Sequence, residues 1–255
     1  MSQLSEAISG FRPISLGEMD SVALMNRVDT KYLLSYVDAL SILGSLKNDY
    51  KILEIANDRQ FEYRTIYFDT ASKRLLYDHL RGKLNREKVR AREYVGTTSR
   101  FFELKLKTNK GRTVKKRIPK TGEMETIQAE ESAFLSSISK LDADSLSLAL
   151  TVNFFRVTLV NLAQKERMTF DFHLTFSSDG GLKTVDDLVI IELKRDAEGA
   201  LRTLAMDLLK RISARPSSMS KYCLGMILLE KAERYNSYKP KLLNLNKLST
   251  HGDIW

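Results

Sequence analysis

Apolar and polar positions alternate with period two along much of the chain. Residues 86–92 carry Arg86, Lys88, Arg90 and Arg92 on one parity, with Val89 and Ala91 on the other. In 101–107 the pattern is Phe102, Leu104 and Leu106 against Phe101, Glu103, Lys105 and Lys107. Alternation of this kind marks β-strands, whose successive side chains point to opposite faces. It predicts strands over 27–34, 52–55, 61–69, 86–95, 100–108, 112–118, 153–160, 167–176 and 188–194. Turn residues at Gly96-Thr97-Thr98 and Asn109-Lys110-Gly111 make hairpins of three of these, so much of the sheet is antiparallel. Ser15 with Glu18 forms a capping box ahead of the apolar run 22–25, and Ser35 caps a helix to about 47. Residues 71–79 read as a helical turn. Segments 126–150, 197–214 (stopped before Pro216) and 218–235 read as helices, and the tail from 237 as polar and frayed. The class is α+β. Residues 1–11 read as an N-terminal lead, 12–236 as a single domain and 237–255 as a polar C-terminal tail.

The polar faces of these strands are unusual. Half-buried antiparallel strands ordinarily place neutral polar groups in water. Here the polar faces are rich in long cations mixed with acids two residues apart, as in Glu103/Lys105 and Glu192/Lys194. Arg156 with Thr158, Thr113 with Lys115 and Arg117, and Arg167 with Thr169 and Asp171 continue the pattern. A barrel that turned these faces inward would crowd cations together. Two unit charges 4 Å apart interact by about 4 kcal/mol at an effective dielectric near 20. A phosphate chain would relieve that repulsion, since Arg donates paired hydrogen bonds to phosphate and Lys supplies a mobile point charge. Carboxylates in such a pocket make sense as ligands for Mg²⁺ or Mn²⁺ bridging to phosphate oxygens.

Charge location sharpens this reading. The net charge is +9, yet residues 83–120 hold 14 Lys and Arg against 3 acids, while the rest of the chain holds 27 against 29. All the excess positive charge therefore lies in one segment, a focus for a polyanion. No run approaches the length of a membrane-spanning helix, and no signal peptide is evident at the start. The single cysteine, Cys223, sits in an apolar run and reads as a buried inert thiol, consistent with a cytoplasmic location. The three histidines, His79, His173 and His251, lack zinc-ligand spacing; His173 reads as a surface or tunnel-lining residue. Neither a Gly-x4-Gly-Lys-Ser/Thr loop nor a Gly-x-Gly-x-x-Gly motif occurs, so phosphate binding must come from side chains.

In order along the chain, Arg27-Val-Asp-Thr-Lys-Tyr32, Thr65-Ile-Tyr-Phe-Asp-Thr70, Lys88-Val-Arg-Ala-Arg92, Phe102-Glu-Leu-Lys105, Phe155-Arg-Val-Thr158, Arg167 to Asp171, Ile191-Glu-Leu-Lys194 and Ser220-Lys-Tyr222 form a familiar set. From about Arg12 to Tyr235 the chain resembles the catalytic domain of the VTC (vacuolar transporter chaperone) polyphosphate polymerases, of the triphosphate tunnel, or CYTH-like, metalloenzymes. The resemblance implies an eight-stranded antiparallel β-barrel forming a tunnel, with a polar charged interior and helices packed outside. It implies catalytic roles for Arg90, Arg92, Lys31 and Arg156. Lys105, Lys115, Arg167, Lys194, Ser220 and Lys221 would bind phosphate. Glu192 would hold the divalent metal, with Glu103 assisting and Asp171 as a further acidic participant. The chain departs from the family pattern at Ser218, where a lysine is expected, and at Phe154, where a tyrosine is expected.

The activity so implied is metal-dependent polyphosphate synthesis, with the terminal phosphate of ATP passing to phosphate or a growing chain. Two alternatives stand beside it. One is hydrolysis of inorganic or nucleoside triphosphate on the same fold. The other is a non-catalytic module binding polyphosphate or nucleic acid. Nucleic acid is the weaker expectation, because an RNA-binding strand more often shows aromatic platforms. Any membrane tethering would require a partner.

Overall fold

A computed structural model describes residues 3–20, 27–110, 112–199, 202–249 and 254. The strands are β1 (Arg12–Ile14), β2 (Arg27–Ser35), β3 (Lys51–Leu53), β4 (Phe61–Thr70), β5 (Arg86–Tyr94), β6 (Arg100–Lys107), β7 (Thr113–Pro119), β8 (Leu146–Asn161), β9 (Glu166–Ser178), β10 (Gly181–Val185) and β11 (Leu188–Asp196). The helices are α1 (Gln3–Ser9), α2 (Leu16–Asp20), α3 (Tyr36–Leu46), α4 (Arg74–Leu80), α5 (Ala129–Ile138), α6 (Leu204–Arg211), α7 (Lys221–Leu228) and α8 (Lys239–Asn246).

Eight strands form one antiparallel path in the order β2-β11-β9-β8-β4-β5-β6-β7; off this path β10 pairs with β9, and β3 pairs with β8 and, in parallel, with β1. The path curls into a half-barrel. Ser217 N–H donates to the Lys31 carbonyl, on β2 at one end of the path, at 2.8 Å, and Ser220, three residues later, accepts from Lys88 Nζ, on β5 near the other end, at 2.8 Å. That proximity needs a concave sheet with Lys88 facing inward. The convex side is covered by helices. Tyr32, Leu34, Val157, Leu159, Met168, Phe170, Val189 and Ile191 pack with buried residues of α1, α3 and α6. Ile66, Phe68, Val89, Ala91, Phe102 and Leu104 pack with Leu135 of α5. The two halves of the outer core thus use the apolar parity that the sequence assigns to these strands.

β9 departs from the regular alternation. His173 has φ of 51°, in the left-handed region, where the β8–β9 register slips between Asn153 and Phe155. A bulge there inserts one residue and reverses the facing of all that follow. Met168, Phe170 and Phe172 therefore join the outer core, while Leu174 and Phe176 turn to the opposite side. The unbroken alternation expected of the strand over 167–176 is corrected at this point: Met168, Phe170 and Phe172 do not share a face with Leu174 and Phe176. His173 itself lies half-exposed, with Nδ1 3.0 Å from Asp186.

α7 packs differently from the other helices. Tyr222, Cys223, Leu224, Met226 and Ile227 lie against Tyr67, Leu150, Val152, Phe154, Leu174, Phe176 and Ile190. Those β8 residues share parity with Arg156, so α7 fills one end of the concave face. A Cβ at Gly225 would fall 2.4 Å from the Phe176 ring and 2.7 Å from Leu150, so the helix backbone approaches the sheet where only glycine fits. Asp69 holds the helix from the side. Its carboxylate accepts from the Tyr222 hydroxyl at 2.5 Å and from the backbone N–H groups of Leu75 and Leu76, at the start of α4.

Several boundaries differ from expectation. Residues 126–150 do not form one helix: α5 occupies only Ala129–Ile138, and β8 begins at Leu146. The alternation Leu146-Ser-Leu-Ala-Leu-Thr-Val152 has strand period, and β4 offers a partner along its whole length. α6 starts at Leu204, where Thr203 caps Met206 N–H, rather than at 197. α7 ends at Leu228, well before 235, because Glu230 adopts φ of 56°. The tail is not frayed over its first part: α8 buries Leu242 and Leu245, three apart on one helix face, beside α7. The Ser15–Glu18 capping box is present at α2, while the run 22–25 lies outside the described residues. Ser35 caps α3 as expected.

Candidate active site

The concave face is set by register. Across β4-β5-β6-β7, Tyr67 pairs with Arg90, Arg90 with Glu103 and Glu103 with Arg117. One row along, Lys88, Lys105 and Lys115 lie side by side. On the other half, Arg156 pairs with Asp171, Thr169 with Glu192 and Glu192 with Lys31. Directly opposed residues share a face, so the pairing alone aligns these groups.

Three carboxylates organise the cations. Glu103, 1% exposed, accepts from Arg90 at 2.7 Å and from Lys115. Asp171 accepts two hydrogen bonds from the Arg156 guanidinium, at 2.6 and 2.8 Å, and one from Lys221 of α7. Glu192 lies 2.9 Å from Lys31 and 3.4 Å from Lys194. Every candidate residue of the strands falls on this face, and Ser220 and Lys221 reach it from the start of α7. Lys31, Arg90, Arg156, Lys115, Lys194 and Lys221 are ion-paired there, whereas Lys105, Arg92 and Arg167 make no ion pair among the described residues. Arg92 donates to Thr65 Oγ1 at 3.3 Å and lies over the Tyr63 ring. Ser220 caps α7 and receives Lys88 Nζ at 2.8 Å.

Lys88 was not singled out from the sequence, although alternation had placed it on the same face as Arg90. Asp171 emerges as a hub rather than a marginal acid, because it ties Arg156 on β8 to Lys221 on α7. Only long-range pairing shows that role.

The electrostatics match the crowding. Burial, then Arg90 and Lys31, hold Lys105 down to about 7. Burial, then neighbouring Arg90 and Lys31, bring Lys88 to about 8 despite an opposing contribution from Cys223. Burial also brings Lys115 and Lys221 to about 8, against the pull of Glu103 and Asp171 respectively. For the acids, burial alone would raise the pKa, but the cations outweigh it. Arg90, Arg92 and Lys115 hold Glu103 at about 2; Arg156 and Lys221 hold Asp171 at about 2. Lys194 and Lys31 keep Glu192 well below the usual range. Among the described residues, Lys31, Lys88, Arg90, Arg92, Lys105, Lys115, Arg117, Arg156, Arg167, Lys194 and Lys221 thus share this site with three ionised carboxylates.

No group of three His, Cys, Asp or Glu side chains suited to a metal ion occurs among the described residues. A phosphate-bridged Mg²⁺ or Mn²⁺ does not need one, since such ions take one or two carboxylates and draw their other ligands from water and phosphate. Glu192, ionised and partly open to the concave face, fits that role. Glu103 is enclosed by its two cations and fits only as a secondary contributor.

Residues 26–230 match the VTC domain. The chain belongs to the VTC domain family. The match spans all of the concave face from Lys31 to Lys221. No curated protein matches the sequence. Among solved structures, one is described as a putative adenylyl cyclase from Hippeastrum that reveals a dominant triphosphatase activity. It is similar at 15% identity and TM-score 0.46, over 80% of this chain and 96% of that one. A protein from Pyrococcus horikoshii is similar at 9% identity and TM-score 0.43, over 76% and 96%. In the VTC domain, no helix among the described residues is long and apolar enough to cross a membrane.

Proposed function

We propose that this VTC domain is a metal-dependent polyphosphate polymerase that transfers the terminal phosphate of ATP to phosphate or to a growing polyphosphate chain. The observation that carries the reading is the excess of inward cations. Lys88, Arg92, Lys105 and Arg167 face the cavity of the half-barrel without an ion-pair partner among the described residues, and Lys105 is crowded enough to shed its proton near neutrality. Such a face is at its most stable with a polyanion lying on it.

In this reading the triphosphate lies across Lys88, Arg90, Arg92, Lys105 and Lys115, and the acceptor phosphate lies towards Arg156, Arg167 and Lys31. The guanidinium forks of Arg90 and Arg156 are fixed by Glu103 and Asp171. They therefore meet the charge developing on equatorial oxygens without reorganising. Lys221 and Ser220, at the N-terminal end of α7, approach the same phosphates from the plugged end. Glu192, with Glu103 assisting, would hold the Mn²⁺ or Mg²⁺, which supplies charge neutralisation and alignment of phosphate oxygens. No side-chain nucleophile is needed, and nucleoside diphosphate is the leaving group. A cytoplasmic supply of ATP fits this chemistry.

Incubating the protein with ATP and Mn²⁺ or Mg²⁺ and separating products by phosphate-chain length tests the proposal. ADP with a ladder of chains supports it. ADP and free phosphate without chains, lost in Arg90→Ala, assigns the site to triphosphate hydrolysis instead. Tight polyphosphate binding without turnover assigns it to binding.

A further inference from the structure

At the hairpin joining β5 to β6, the concave face changes from charged to aromatic. Phe101 lies opposite Arg92 in the β5–β6 pairing and two residues along β6 from Glu103, about 7 Å at ~3.4 Å per residue. Its ring meets Tyr94 edge-on, with centroids 6.1 Å apart and planes at 87°. Tyr94 in turn lies 4.8 Å from Tyr63, which stacks on Phe154 at 5.2 Å. The guanidinium of Arg117 lies over the Phe101 ring at 4.1 Å and makes no ion pair among the described residues.

Phe154 is buried in the cluster around α7 and Tyr63 packs against it, but the outer two rings are not core packing. Tyr94 and Phe101 belong to none of the four buried apolar clusters, and both are only half-buried. Arg117 is exposed. Rings and a planar cation left partly open beside an anion site are the groups that stack on nucleobases.

We propose that Tyr94, Phe101 and Arg117 form the nucleobase subsite, on which the base of a nucleoside triphosphate stacks while its phosphates extend towards Arg90, Lys88 and α7. This rests on the phosphate-binding reading of the concave face and adds the position of the base. Face-on stacking reads no base edge, so the subsite accepts any nucleoside triphosphate. It also orients the donor, directing its phosphates along the cation row from Arg92 to Lys88.

Equilibrium binding of ATP and of inorganic tripolyphosphate to the same protein separates the two parts. In Phe101→Leu the ATP affinity falls by about 5-fold or more, the factor set by ~1 kcal/mol of base–aromatic stacking. Tripolyphosphate affinity stays within about 2-fold. Tyr94→Leu shows the same split, and Phe101→Trp keeps the ATP affinity, so the proposal does not depend on any single variant folding. An unchanged ratio of ATP to tripolyphosphate affinity in both leucine variants overturns the subsite while leaving the phosphate site intact. Binding of neither ligand by the wild type overturns the phosphate reading, and the subsite with it.

Discussion

Lys105 supplies the sharpest test of the electrostatic argument, through the substitution Lys105→Met. Methionine keeps the length of the buried stem and removes only the charge. In the free protein Lys105 has no ion-pair partner among the described residues, and burial with Arg90 and Lys31 lowers it from the ordinary 10.5 to about 7. At ~1.4 kcal/mol per pH unit, that shift sets an upper bound of about 5 kcal/mol on the cost of keeping this group in the empty face. Removing it therefore stabilises the ligand-free protein, and a gain of even ~1 kcal/mol raises the melting temperature by about 2–4 °C in a chain of this size. Tripolyphosphate acts in the opposite sense. At 100 times its dissociation constant it stabilises the wild type by about 2.7 kcal/mol, or roughly 5–10 °C, and the variant by clearly less. Thermal unfolding in phosphate-free buffer, with and without tripolyphosphate, measures both quantities. A variant no more stable than wild type when free, with an undiminished tripolyphosphate shift, refutes the account of Lys105.

Stability should also depend on pH in a defined direction. Between about 7 and 10.5 the unfolded chain keeps a proton on Lys105 that the free native protein has lost, so native stability rises with pH across this window, by up to ~1.4 kcal/mol per unit, and Lys105→Met flattens the rise. Glu192→Gln should weaken Mn²⁺ binding in the presence of tripolyphosphate, measured by equilibrium dialysis, as well as turnover; unchanged Mn²⁺ binding removes Glu192 from the metal site. Asp171→Asn frees Arg156 and Lys221 from their shared carboxylate, and should lower the rate of phosphate transfer more than tripolyphosphate affinity, as kcat and KM read separately. Lys120→Met serves as a control: it strands Glu131, 2.9 Å from it in a fully buried pair outside the cavity, and should cost about 3–5 kcal/mol in denaturant unfolding while leaving tripolyphosphate affinity unchanged.

The concave face was legible where strands run without interruption. In β5 and β6 the two-residue period puts Arg90, Arg92, Glu103 and Lys105 on one side, and the structure keeps them there. It was not legible across the bulge at His173, because a non-glycine residue with positive φ leaves no turn signal in the sequence. Segment 146–152 was misread because Ala, Ser and Leu suit a helix locally, while the partner strand that decides its conformation lies some eighty residues earlier. The ion pairs that fix Glu192 with Lys31 and Asp171 with Lys221 join residues distant in sequence, so residue type shows the participants but not the partnerships. α7 as a plug inside the curl was hidden for the same reason, although Gly225 within an apolar helix marks the close approach. The aromatic shelf escaped notice because Tyr94 and Phe101 flank a hairpin, and only the pairing brings them together.

Competition binding tests the central claim most directly: labelled tripolyphosphate bound to wild type and to Arg156→Ala, challenged with polyphosphate and with random single-stranded RNA of equal charge. The account predicts that polyphosphate displaces the label efficiently, that RNA does so poorly because sugars separate its phosphates and lower the charge density it can lay along the cation rows, and that Arg156→Ala loses most of the affinity. Equal displacement by RNA, falling steeply with salt and unaffected by Arg156→Ala, would place anion binding on the outer surface and contradict the assignment of the concave face.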